Sequence, residues 1–132
     1  MIKSKKGYDI IIPRGLKPEP NSYEKITAKL MADYLQSDIE FVKRGSSTTP
    51  DILALRYNQI WEIKNIRGNN RNTINRNLKG IYRQSENVII TLFQTTMTIN
   101  QAMGRTKDKL SRANRVKRLV IISRSKKVVV IK

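Results

Sequence analysis

At 132 residues and 15.3 kDa the chain has room for one domain with a hydrophobic core and little for two, so a single domain over residues 1–132 is expected. The absence of Cys and His excludes a disulfide framework, a thiolate or imidazole zinc site, a Cys nucleophile and a Ser-His-Asp triad, and leaves oxygen ligands for any metal. The net charge of +17 predicts a polyanionic partner, nucleic acid and not membrane, because no basic amphipathic helix dominates and no apolar run is long enough to span a bilayer.

In chain order, residues 8–12 (Tyr-Asp-Ile-Ile-Ile) form a short β-type run closed by Pro13 and a Gly/Pro-containing loop through Pro20. From 21 to 37, Tyr23, Ile26, Leu30 and Tyr34, with Met31 and Leu35, recur at three- and four-residue spacing and predict an amphipathic helix. Ile39 and Phe41 alternate with Glu40 and Val42 as a strand, and residues 45–50 are a loop. A hairpin follows: a strand over 51–57, a turn at Asn58-Gln59 and a returning strand over 60–66. After an Asn-rich loop, Ile74, Leu78, Ile81 and Tyr82 predict a second helix ending near Gln84 or Ser85. Residues 88–93 read as a buried strand. Ile99, Ala102, Met103, Leu110 and Ala113 predict a third helix over 97–115, with a break at Gly104. Residues 118–123 and 127–131 close the chain as a hairpin around Arg124-Ser125-Lys126. Strands alternating with helices argue an α/β or α+β fold with a mixed sheet.

The charge is unevenly spread: residues 1–66 carry +3, residues 67–100 carry +4 and residues 101–132 carry +10, while eight of the ten carboxylates lie in the first stretch. In the hairpin, a two-residue turn pairs Tyr57 with Ile60, Leu55 with Glu62, Leu53 with Lys64 and Asp51 with Ile66. Asp51, Leu53, Leu55, Ile60, Glu62 and Lys64 then share one face, and Ile52, Ala54, Trp61 and Ile63 the other. Glu62 and Lys64 would stand about 6 to 7 Å apart along the strand. Carboxylates and an ammonium among apolar neighbours are costly unless partnered, and a divalent cation bridging Asp51 and Glu62 would partner them. Trp61 reads as a sheet-packing residue.

Pro50-Asp51, followed eleven positions later by Glu62-Ile63-Lys64, resembles the PD-(D/E)XK nuclease superfamily. More narrowly, Tyr23-Glu24, Thr49-Pro50-Asp51-Ile52, Trp61-Glu62-Ile63-Lys64-Asn65 and Gln84-Ser85-Glu86-Asn87-Val88-Ile89-Ile90 look like the C-terminal nuclease domains of contact-dependent growth inhibition toxins, whose usual substrate is tRNA. The resemblance implies a restriction-endonuclease-like mixed sheet with an α-β-β-β-α-β core over roughly residues 21–93, flanked here by the N-terminal strand and the C-terminal basic helix and hairpin. It implies that Asp51 and Glu62 coordinate Mg²⁺ or Mn²⁺, that Glu24 binds the metal directly or through water, and that Lys64 orients or helps deprotonate the attacking water. It also implies a cytoplasmic site of action, delivery as part of a toxin, and an acidic immunity protein as partner.

Some of these residues have a second reading. Asn21 and Glu24 are spaced as a helix capping box, and Asp51 after Pro50 is a common turn residue. Gln84, at a helix end, either contacts the scissile phosphate or water or is structural. Arg105, Lys107, Lys109, Arg112, Arg115, Lys117 and Arg118 are the expected nucleic-acid-binding cations. The reading favoured is a metal-dependent endonuclease acting on tRNA or other structured RNA. The alternatives are a DNA endonuclease of the same fold and a non-catalytic basic RNA- or DNA-binding protein, for which convergent carboxylates would have no use.

Overall fold

The computed structural model describes residues 2–43, 51–68, 85–110 and 115–132. The helix expected from Ile74, with Gln84, and also Pro50 and Arg112, lie outside the described residues. Among the described residues, eight strands and two helices make a mixed α+β fold, and the chain divides into two compact units, Met1–Ile63 and Lys64–Lys132.

In the first unit, β1 (Ile2–Lys3) pairs antiparallel with β2 (Asp9–Ile11), which pairs in parallel with β3 (Ile39–Val42). Antiparallel partners β4 (Asp51–Ala54) and β5 (Gln59–Asn65) follow; β5 carries the unit boundary. The short β1, absent from the sequence reading, is held by the ion pair of Lys3 with Asp9. Helix α1 (Ser22–Leu35) connects β2 to β3. A capping box starts it: Glu24 N–H donates to Asn21 Oδ1 and Asn21 N–H to Glu24 Oε1, both at 2.8 Å. Gln36, left-handed at φ 55°, ends it, with Ser37 N–H on Ala32 O at 3.0 Å.

The strand registers line up Ile10, Ile39, Phe41, Ile52, Ala54 and Trp61 on one sheet face, each no more than 1% exposed. Helix α1 packs on β2, β3 and β4 and buries Ala28, Met31 and Ala32 completely, so it covers this apolar face. Burying each large side chain there contributes about 1.5 to 3 kcal/mol. Trp61 is part of this core, as expected.

The β4–β5 hairpin departs from the expected register. Observed partners are Ile52 with Trp61, Leu53 with Ile60 and Ala54 with Gln59, so the connection is the four residues 55–58 and not a two-residue turn at Asn58-Gln59. Every partner has shifted by four positions. The cause is tertiary: Leu55 N–H donates to Asp38 O at 3.1 Å, Arg56 N–H to Ser37 Oγ at 3.0 Å and Tyr57 Oη–H to Leu35 O at 2.8 Å. These bonds fasten the turn to the end of α1 in place of extending the ladder, and Asn58 accepts the left-handed conformation, φ 51°, that closes it. An even shift returns each side chain to the same face, so the facial assignment survives.

In the second unit, β6 (Asn87–Thr91) and β7 (Arg118–Ile122) are parallel neighbours, and β8 (Val128–Val130) returns antiparallel on β7. Ile89, Ile90, Val120 and Ile121 are all at most 1% exposed; burial on both faces is why these runs are continuously apolar and not alternating. Helix α2 (Ile99–Leu110) joins β6 to β7. It starts later than expected because Thr98 caps it, with Gln101 N–H on Thr98 Oγ1 at 3.2 Å and Thr98 N–H on Gln101 Oε1 at 3.0 Å. It also runs unbroken through Gly104. Ala102 joins Ile66, Val88, Ile90, Leu119 and Ile121 in the core of this unit, and packing of that stripe outweighs the roughly 1 kcal/mol cost of a helical glycine.

Candidate functional site

The sheet face turned away from α1 carries the candidate chemistry. The Ile52–Trp61 pairing continued by one step sets Asp51 across from Glu62, at the Cβ separation of about 4.5 to 5.5 Å normal for facing residues. This is closer than the expected register allowed, where Asp51 faced Ile66. Asp51 is 3% exposed and begins β4; Glu62 is half-buried. Lys64 lies two residues beyond Glu62 on β5, half-buried, and the period of two gives it the same strand face.

Glu40 was not singled out in the sequence. The β3–β4 register places it opposite Leu53, hence on the Asp51 face and diagonal to Asp51. Strand alternation around Phe41 was the signal that could have found it.

Glu24 lies in the first turn of α1. Its helix covers the opposite, apolar face, it is 7% exposed, and one carboxylate oxygen accepts the Asn21 N–H. Among the described residues no three carboxylates gather as a cation-holding group. Two facing carboxylates nonetheless fit a hard divalent ion, since Mg²⁺ is commonly held by one or two carboxylates, with water and phosphate oxygens filling the remainder.

The basic residues of the second unit differ in exposure. Lys107 and Arg115 are exposed, and Lys109 is half-buried. Arg105 is half-buried with Nη1 3.8 Å from Met97 Sδ. Lys117 pairs with Glu86 at 3.5 Å, and Arg118 Nη1 donates to Asn87 Oδ1 at 3.2 Å. At about 3.6 residues per turn, Arg105 and Lys109 flank the buried stripe of α2 on one side and Lys107 on the other. The cations are therefore not one stripe.

Residues 48–128, more than half of the chain, match the family model of the contact-dependent growth inhibition CdiA C-terminal domain. The chain belongs to this family. The matched span takes in Asp51, Glu62, Lys64, Gln84 and every one of the expected nucleic-acid-binding cations, and leaves Glu24 outside. The fold of this CdiA C-terminal domain is similar to a solved chain of a CdiA-CT/CdiI toxin and immunity complex from Burkholderia pseudomallei, with a TM-score of 0.61 at 13% identity over 94% of this chain and 98% of that one. No curated protein matches the chain. Membership makes it a toxin domain of the CdiA type, delivered as the C-terminal part of a growth inhibition protein. Among the described residues no helix is long and apolar enough to cross a membrane.

Proposed function

We propose that this toxin domain, residues 1–132, is a metal-dependent endonuclease of the PD-(D/E)XK type that hydrolyses phosphodiester bonds of nucleic acid, with tRNA or another structured RNA ahead of DNA as substrate. The observation that carries the reading is the β4–β5 register, whose Ile52–Trp61 pair extended by one step sets Asp51 opposite Glu62, with Lys64 two residues on along β5. Carboxylate oxygens at facing strand positions are hard ligands of the kind that hold a divalent cation such as Mg²⁺.

Asp51 and Glu62 would hold Mg²⁺ or Mn²⁺. When bound, such an ion supplies Lewis-acid polarisation of the phosphoryl oxygen and a lowered pKa for water. Lys64 presents a compact positive charge to the scissile phosphate and orients the attacking water. Gln84, from the segment preceding β6, contacts the phosphate or that water. Glu24 fixes the N-terminus of α1. The cations of α2 and β7 hold the nucleic acid through its phosphates.

The similar solved structure is described as a toxin and immunity complex; by analogy, an acidic immunity protein covers this cationic surface in the producing cell. The site of action is the cytoplasm of the target cell.

The test incubates the domain with total tRNA and with plasmid DNA, in Mg²⁺, in Mn²⁺ and in chelator, beside Glu62→Gln and Lys64→Ala. Cleavage of tRNA that needs the metal and falls at least a hundredfold in both variants is expected. Cleavage retained in both variants overturns the site. Salt-sensitive binding of both substrates with no cleavage under any metal returns the non-catalytic alternative.

A further inference from the structure

Immediately after Lys64, at the end of β5, the carboxamide of Asn65 is engaged at both ends. Thr91 Oγ1–H donates to Asn65 Oδ1 at 2.9 Å, and Asn65 Nδ2–H donates to Gln94 Oε1. Thr91 is 1% exposed, so its hydroxyl is spent on this bond in a dry setting, where a hydrogen bond is strong and its loss costly. Two further bonds tie the same stretch of chain to the end of β6 and the segment after it: Ile66 N–H to Thr91 O at 3.0 Å and Thr95 Oγ1–H to Gly68 O at 2.7 Å. Thr95 Oγ1 in turn accepts the Met97 N–H at 3.1 Å, two residues before α2 begins. The chain from Asn65 to Gly68 is thus stitched by four bonds, two to Thr91 at the end of β6 and two, at Gln94 and Thr95, to the strap that leads into the basic helix.

By strand alternation Asn65 points to the face opposite Lys64, so it cannot reach substrate beside that ammonium. What it can fix is the backbone from which Lys64 projects. A four-carbon side chain on a frayed strand end samples many positions, whereas one on a clamped strand spends its rotamer freedom around a single origin.

We propose that Asn65 is a positioning residue for Lys64: clamped between Thr91 and Gln94, it holds the end of β5 so that the Lys64 ammonium is presented in one direction. The strap makes this hold continuous with α2, linking the helix that grips nucleic acid to the lysine that attends the phosphate. This rests on the nuclease reading of Lys64.

The test compares Asn65→Ala, Thr91→Val and Thr91→Ser with the unsubstituted domain for metal-dependent cleavage of tRNA, alone and combined with Lys64→Ala, and follows hydrogen exchange of the Ile66 amide in the same proteins. Asn65→Ala and Thr91→Val, the latter keeping shape but losing the donor, are expected to lower kcat about tenfold with KM within about twofold. Thr91→Ser, which restores the hydroxyl, should return kcat to its original value. Added to Lys64→Ala, Asn65→Ala should cost nothing further, and Ile66 exchange should quicken wherever the clamp is cut. An active domain in which Asn65→Ala leaves kcat unchanged, or loses the same factor in the Lys64→Ala background, overturns the positioning role alone. An unsubstituted domain that cuts neither tRNA nor plasmid DNA removes the nuclease reading and the role together, and unchanged Ile66 exchange in Asn65→Ala removes the clamp itself.

Discussion

Glu24 shows how one residue can satisfy two patterns. Asn-x-x-Glu at a helix start is a capping box, and a helical Glu upstream of a Pro-Asp hairpin is also a nuclease-like feature; spacing alone cannot separate them. The folded chain gives the carboxylate a definite task at the N-terminus of α1, with reciprocal bonds to Asn21. Substituting Asn21→Ala should cost about 1 kcal/mol of stability, read by chemical or thermal unfolding. Glu24→Gln is the discriminating variant, because Gln serves at the same capping position. It should unfold at the same point as the parent and retain its cleavage activity, whereas a metal-ligating Glu24 would lose activity while keeping the cap. Asp51 and Glu62 were easier to read, since strand alternation assigns faces without needing the register. Glu40 was missed because nothing local distinguishes a carboxylate beside Phe41 from a solvated one; the β3–β4 pairing is what brings it alongside.

At the scale of elements, the periodic segments were legible and their ends were not. Helix α1 and strands β3, β6, β7 and β8 lie where apolar spacing places them, because each carries its own signal. The hairpin register failed because its turn is set by bonds to residues 35–38, contacts that no window around Asn58 contains. Gly104 misled in the opposite sense: a local helix breaker sits inside a helix whose apolar stripe is held by the core of the second unit. A Cβ built at Gly104 meets nothing within 4 Å, and the position is exposed. Gly104→Ala should therefore stabilise the domain by about 0.5 to 1 kcal/mol, visible as a raised denaturant midpoint with an unchanged slope. A loss of stability there would mean that α2 needs flexibility at its centre.

For the whole molecule, the asymmetry of charge coincides with the division into units. The first carries ten basic and eight acidic side chains, the second 17 basic and two acidic. Composition alone predicts a polyanionic partner; the folded chain adds that its cations differ in exposure and pairing. Lys117 pairs with Glu86 and Arg118 with Asn87, Lys107 and Arg115 are exposed, and Lys109 is half-buried. Phosphate contacts release counterions, so each one contributes about 0.7 to 0.9 to the slope of log affinity against log salt. With Glu62→Gln in chelator, so that substrate survives, replacing Lys107, Lys109 and Arg115 together by Ala should lower the magnitude of that slope by about 2 to 3 for tRNA, with the unfolding midpoint unmoved. Glu86→Gln should act in reverse and tighten binding modestly, because it releases Lys117 from an exposed pair that itself stabilises the fold by no more than about 1 kcal/mol. If the triple variant binds with the parent slope, the grip on nucleic acid lies elsewhere than on α2 and the segment entering β7. The cationic surface of the second unit would then belong to the immunity partner alone.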